Sequence, residues 1–191
     1  MDKQLSKFLA RQKRAVQTHP GAPAQLTKAA VLVLLLREKG EDHLLFTKRS
    51  QIVLHHKGQI CFPGGACDEG DSDLWATAIR ETREEIGLEP SLVSSVGRLG
   101  QLATPSGYLV TPFVGRVSQS FTLKPSLSEI AEIFTAPVGH FLNPENFRHV
   151  KKQLYGIEYE DPTFIYKNHE IWGATGRILV EFLEAWRVSY K

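Results

Sequence analysis

Residues 62–88, FPGGACDEGDSDLWATAIRETREEIGL, decide how the rest of the chain is read. The stretch opens on the turn Pro63-Gly64-Gly65, crosses an acidic loop and enters a helix whose second half is crowded with carboxylates. At about 100° per residue, Trp75, Ala78, Ile79, Thr82 and Ile86 share one stripe, the spacing of a buried helix face. Glu81, Glu84 and Glu85 fall together on another. Like charges within one turn cost a helix roughly a few tenths of a kcal/mol per pair. Arg80, four residues before Glu84, can neutralise one of them, and the rest calls for a hard cation. Mg²⁺ takes oxygen ligands, keeps several waters and brings substrate phosphates with it. The competing reading is a solvated acidic helix face. The Gly64-Gly65 pair tips the balance toward metal, because glycine permits close backbone approach and the Gly65 carbonyl could point at the same ion.

These residues resemble the signature of the Nudix hydrolases: a Gly, five residues, a Glu, seven residues, then Arg-Glu, an apolar residue, any residue, Glu-Glu, any residue, Gly and an apolar residue. Arg80, Glu81, Glu84, Glu85, Gly87 and Leu88 match in order. Asp71 stands where Glu is usual, eight residues rather than seven separate it from Arg80, and Thr82 holds the apolar place. Asp71 is open to two roles, a metal ligand or, with Ser72 or Asp73, a cap of the helix N-terminus.

Outward from this stretch, 191 residues at 42% hydrophobic suffice for one well-cored domain and are few for two. The whole of 1–191 is therefore read as one domain, with 1–25 as an N-terminal extension. Its first 20 residues carry Lys3, Lys7, Arg11, Lys13 and Arg14 against one acid, Asp2, and a stripe of Leu5, Phe8, Leu9 and Val16. A docked helix is the expectation there, and a transit peptide is the alternative. The net charge of +2 supplies no general field for polyanions, and no basic stripe alternates with aromatics, which argues against nucleic acid. The longest apolar run, residues 29–36, is strand-sized, far below the roughly 20 residues of a membrane helix, so no membrane partner is expected and the chain reads as soluble. Two cysteines, Cys61 and Cys67, make neither a disulfide framework nor a zinc site and read as free thiols of a cytoplasmic protein.

Residues 29–37 and 43–48 read as strands joined by a turn at 39–42, 59–62 as a short strand, and 92–102 and 108–117 as strands. Residues 126–134 read as a helix, 138–142 as a further helical turn, 150–166 as a hairpin with Asp161-Pro162 at its tip, and 174–186 as an amphipathic helix. Strands mixed with a few helices, without regular alternation, imply a mixed β-sheet flanked by helices. The Nudix resemblance implies the same α/β class, an α/β/α sandwich.

The run before the box, LLFTKRSQIVLHHKGQICFPGG at 44–65, resembles the coenzyme A pyrophosphatase branch of the Nudix hydrolases. Thr47, Arg49, Ser50, Leu54, His56, Gly58, Gln59, Phe62, Pro63, Gly64, Gly65 and Asp68 fit that branch, as does the extra residue before Arg80. Ile171-Trp172-Gly173-Ala174-Thr175 with Ile178-Leu179 resembles its closing segment. The resemblance implies a small-molecule substrate of the coenzyme A type, hydrolysed at its pyrophosphate with Mg²⁺ or Mn²⁺ held by Glu81, Glu84, Glu85 and Gly65. Arg80 is expected to orient Glu84. Arg49, Ser50, His56, Lys57, Gly64 and Gly65 are the expected substrate contacts, with Lys48 beside them, since a guanidinium suits bidentate phosphate binding. Leu102, Tyr108, Phe113 and Phe134 are candidates for an apolar wall or for plain core. The general base is a box glutamate, Glu129 or Glu132. ADP-ribose or NADH hydrolysis, and a non-catalytic binding module, are the rival functions. Oligomeric state has no signature in the sequence.

Overall fold

The computed structural model of the chain describes residues 2–11, 15–52, 57–119 and 121–189. The apolar run 29–36 lies within strand β2 (Thr27–Glu38), and its side chains alternate between two cores. Ala29, Val33 and Leu35 enter one core, while Ala30, Leu32, Leu34 and Leu36 enter the other. A strand covered on both faces needs an uninterrupted apolar run, and each leucine so buried stabilises the fold by about 1.5–3 kcal/mol. Beside β2 lie β3 (Glu41–Arg49), antiparallel through a Lys39-Gly40 turn, and β8 (Tyr108–Val117), parallel.

The mixed sheet is completed by β1 (Gln17–Thr18), β4 (Ile60–Cys61), β5 (Gly64–Ala66), β6 (Val93–Arg98), β7 (Leu102–Ala103) and β9 (Ile130–Pro137). Its path runs β1-β7-β8-β2-β3-β4, with β5 on β2, β6 on β8 and β9 on β3. Helix α2 (Leu74–Ile86) covers one face through Ala78 and Ile86. Helices α1 (Asp2–Arg11), α3 (Val138–Leu142) and α4 (Gly173–Ser189) cover the other, through Leu5, Leu9, Phe141, Leu179 and Phe182. The result is the α/β/α sandwich expected from the sequence. A separate antiparallel sheet, β10 (Phe147–Leu154), β11 (Ile157–Tyr166) and β12 (His169–Ile171), packs against α4.

Two expectations fail. The 126–134 segment is one turn followed by strand β9, not a helix. Its Ile130, Ile133 and Phe134 imitate helical spacing, but β3 offers a partner for each, and strand pairing with β-branched residues wins. The hairpin of β10 and β11 turns at Tyr155-Gly156, where both φ values are positive, and Asp161-Pro162 lies within β11. Pro162 is tolerated because β12 pairs only with Phe164–Tyr166, which leaves β11 an edge at that point.

Candidate active site

Helix α2 starts where the Asp73 carboxylate accepts the Ala76 N–H at 2.8 Å, a cap worth about 1 kcal/mol. It stops at Gly87, whose φ of 72° lets its N–H reach Arg83 O at 2.8 Å. Ala78, Thr82 and Ile86 are buried as the stripe required, with Trp75 and Ile79 half-buried against the same core. The three glutamates do not share one environment: Glu85 is 3% exposed, Glu81 half-buried and Glu84 exposed.

Arg80 is the organiser of the acidic loop. Its Nε and Nη2 donate to the two Asp71 oxygens, both at 2.9 Å, and Nη2 also reaches Ala66 O at 3.1 Å. Its Nη1 donates to Glu81 at 2.7 Å and to Glu84 at 3.1 Å, so the expected Arg80–Glu84 contact is one of five. Asp71 accepts further from Thr77 Oγ1 at 2.8 Å and Asp68 N–H at 2.9 Å. The Arg80 hydrogen bonds, with the Asp68 amide behind them, hold its carboxyl far below the usual range. Asp71 therefore anchors Arg80, and Asp73 alone caps the helix.

The two glycines admit the glutamates. Gly64, at φ 148°, passes so close to β2 that a Cβ would strike Ala30 O, and its N–H donates to Glu85 at 3.2 Å. A Cβ on Gly65 would fall 2.5 Å from the Glu81 carboxyl carbon. On the other side of Glu85 stands Arg49 at the end of β3, with Nη1 3.5 Å from Oε1. Burial pushes the Glu85 carboxyl up to about 8; the Gly64 N–H and Arg49 pull it down, and Glu81 and Glu129 push it up. Glu81 is raised as well, first by burial and then by Glu84 and Glu129, against the pull of Arg80. Glu129 thus lies within electrostatic reach of both, whereas Glu132 pairs with His169 at 3.2 Å.

Among the described residues no three acidic, histidine or cysteine side chains close into a ready-made metal cage. Glu81 and Glu84 lean on Arg80 instead. The donor set still fits a hard divalent ion: it is all oxygen, its buried members repel one another, and only glycine at position 65 leaves room for Glu81 beside the backbone.

The other expected contacts are spread more widely. Ser50 is buried at the base of the following turn, its N–H on Glu129 O at 2.7 Å and its Oγ accepting the Ile52 N–H at 3.3 Å. Lys48 is half-buried in register with Ile60 and Glu132, and Lys57 is exposed in the turn before β4. His56 lies outside the described residues. The four candidate wall residues form no single wall: Phe113 packs with Trp75 under α2, while Leu102, Tyr108 and Phe134 belong to the core on the opposite face. Sequence reasoning missed the dominance of the Asp71–Arg80 bond and the depth of Glu85. The signal for the second was the Gly64-Gly65 pair, whose missing side chains make the space.

Comparison with known proteins shows the family. The NUDIX domain family matches residues 26–154. A coenzyme A diphosphatase of mouse peroxisomes, NUDT7, is 37% identical over 163 residues, covering 80% of this chain and 67% of the relative. A human mitochondrial coenzyme A diphosphatase, NUDT8, is 36% identical over 171 residues, covering 85% and 72%. The uncharacterized Nudix hydrolase NudL of Photorhabdus laumondii is 32% identical over 175 residues, covering 92% and 94%. Among solved structures, the M. smegmatis Nudix hydrolase RenU superposes with a TM-score of 0.53 at 19% identity, over 66% of this chain and 81% of that one. A C. elegans Ap4A hydrolase does so with 0.51 at 21%, over 58% and 80%. The chain belongs to the Nudix hydrolases and is an enzyme of that family, whose members generally work with divalent metal ions.

Proposed function

We propose that residues 1–191 form one Nudix hydrolase domain, with 1–25 as its N-terminal extension, that hydrolyses the pyrophosphate bond of coenzyme A or its acyl derivatives. The products are 4′-phosphopantetheine and adenosine 3′,5′-bisphosphate. The observation that carries the reading is Arg49, from the run before the box, brought to 3.5 Å of Glu85 on the box helix. That spacing supports a fixed cation beside the carboxylates for a diphosphate to meet. The two coenzyme A diphosphatases among the relatives support the choice of substrate.

Glu81, Glu84 and Glu85, with the Gly65 carbonyl, would hold the metal, Mg²⁺ or Mn²⁺. When bound, the ion lowers the pKa of a nucleophilic water and neutralises charge on the phosphoryl oxygens. Arg80 keeps Glu81 and Glu84 turned toward the site and is itself fixed by Asp71. Arg49 offers its guanidinium to the substrate phosphates, and Glu129, beside Glu81 and Glu85, is positioned to take the proton from water. We place the protein in the cytoplasm, since Cys61 and Cys67 are free and suit a reducing compartment.

Hydrolysis of a panel of coenzyme A, 3′-dephospho-coenzyme A, ADP-ribose and NADH with Mg²⁺ and Mn²⁺ tests the reading. Preference for coenzyme A is expected. Preference for ADP-ribose or NADH would move the chain to another Nudix substrate class, and no turnover of any would leave a binding module.

A further inference from the structure

The segment Trp172-Gly173-Ala174-Thr175 at the head of α4 contacts no substrate in the mechanism above, yet its hydrogen bonds lead to the site. Thr175, buried, donates its hydroxyl to Ile60 O at 3.0 Å. Ile60 lies within a short segment with a particular task at each end. At one end Gln59 O accepts the Arg49 N–H at 3.0 Å, and at the other Gly64 N–H donates to Glu85 at 3.2 Å. The six residues 59–64 thus hold both members of the Arg49–Glu85 pair, and Thr175 grips them between the two.

The head of α4 is in turn fixed from behind. Asp161 is fully buried and accepts the Gly173 N–H at 2.8 Å, with Arg177 at 3.2 Å and Lys152 at 3.6 Å. Lys152 also stands 3.2 Å over the Trp172 ring. Gly176 rests so closely on β11 that a Cβ would strike Pro162 O. Three charged groups, a cation–π contact and a glycine fit therefore lock one helical turn whose only hydroxyl bonds the far side of the active-site segment. A helix needing only to cover the core could do so with its apolar stripe of Ile178, Leu179 and Phe182.

We propose that Thr175, locked by Asp161, Arg177 and Lys152, is a positioning residue that sets the separation of Arg49 and Glu85. Only the substrate arm of its test rests on the pyrophosphatase reading.

The test compares Thr175→Val, which keeps shape and loses the donor, with Thr175→Ser, which keeps the donor. In metal-free protein, amide hydrogen exchange at Arg49 and Gly64 should quicken about tenfold in the Val variant, with Val33 in β2 unchanged as a measure of global stability. Mn²⁺ affinity by electron paramagnetic resonance should weaken several-fold, and KM should rise more than kcat falls on whichever panel substrate turns over. The Ser variant should restore all three. Wild-type exchange and Mn²⁺ affinity in the Val variant would overturn the proposal, as would equal quickening at Val33 or failure of Ser to rescue. If wild-type protein turned over no panel substrate, the pyrophosphatase reading would fall, and exchange and Mn²⁺ affinity would still decide on Thr175.

Discussion

On β8, Arg116 donates to Asp42 and to Asp2, each at 2.7 Å, and Asp42 also accepts from Arg37 at 3.0 Å. On β3, Arg49 comes only to 3.5 Å of Glu85, while Glu81 and Glu129 crowd the same carboxylate. Both sites bury an arginine and an acid against one sheet, but only the first closes on itself. Its two aspartates tie α1 and the β2–β3 hairpin to β8, and one Arg116 Nη2 is all that lacks a partner. At the second, Glu85 is buried with Arg49 no nearer than 3.5 Å and two further glutamates within electrostatic reach, an arrangement that costs stability. The difference separates a charge cluster that closes on itself from one that is left open.

The comparison breaks most visibly at Glu85. Glu85→Gln keeps the shape, so kcat should fall by orders of magnitude with the fold intact, and Gln at Glu81 or Glu84 should also slow turnover. Near-wild-type turnover in all three would return the carboxylates to a solvated helix face. At the closed cluster the balance inverts. Arg116→Met leaves Asp42 and Asp2 without their shared donor and should cost about 3–5 kcal/mol of stability, with kcat per folded molecule unchanged. A urea titration alongside turnover measures both, and a stable but inactive variant would erase the distinction.

Arg49→Lys sharpens the open site. The charge stays and the planar fork goes, so kcat/KM should fall by about 1–3 kcal/mol in equivalent free energy. A larger loss for coenzyme A than for its 3′-dephospho form would assign the contact to the 3′-phosphate, and equal losses would assign it to the pyrophosphate. An unchanged kcat/KM on both would return Arg49 to strand-end charge.

The metal-free protein should also show the open site in its pH dependence. The Glu85 carboxyl rises from 4.5 to about 8 on folding, so between those values the folded chain holds a proton that the unfolded chain has released. Stability must then fall as pH rises through that window, and Glu81 acts in the same direction. Melting in EDTA should show this decline, and saturating Mg²⁺ should oppose it increasingly toward the alkaline end, because the ion binds the deprotonated form. A rising melting temperature in EDTA across the window would contradict the burial of an uncompensated acid. The smallest effect is expected at the thiols: Cys61→Ala with Cys67→Ala should leave activity within a few-fold and cost roughly 1 kcal/mol per site.

The legible parts of the sequence were those with local rules. The run 29–36 announced a strand, the α2 stripe announced its packed side, and the Arg80–Glu85 spacing announced the family. What escaped depends on partners distant in sequence. Ile130, Ile133 and Phe134 have helical spacing until β3 lies beside them, and Asp161-Pro162 looks like a turn until the head of α4 supplies Gly173 N–H and Arg177. The three box glutamates are equivalent on a helical wheel. They become unequal only when Gly64 and β3 close over Glu85 and leave Glu84 in solvent.

We propose that the Glu85 site is a charge cluster completed by a divalent cation. Mn²⁺ titration followed by electron paramagnetic resonance, on wild type, Glu85→Gln and Arg116→Met, tests it without reference to any substrate. Wild type and Arg116→Met should bind Mn²⁺ with equal affinity and Glu85→Gln at least about tenfold more weakly, the least that losing even an outer-shell partner of a metal costs. Equal affinity in wild type and Glu85→Gln would contradict the account.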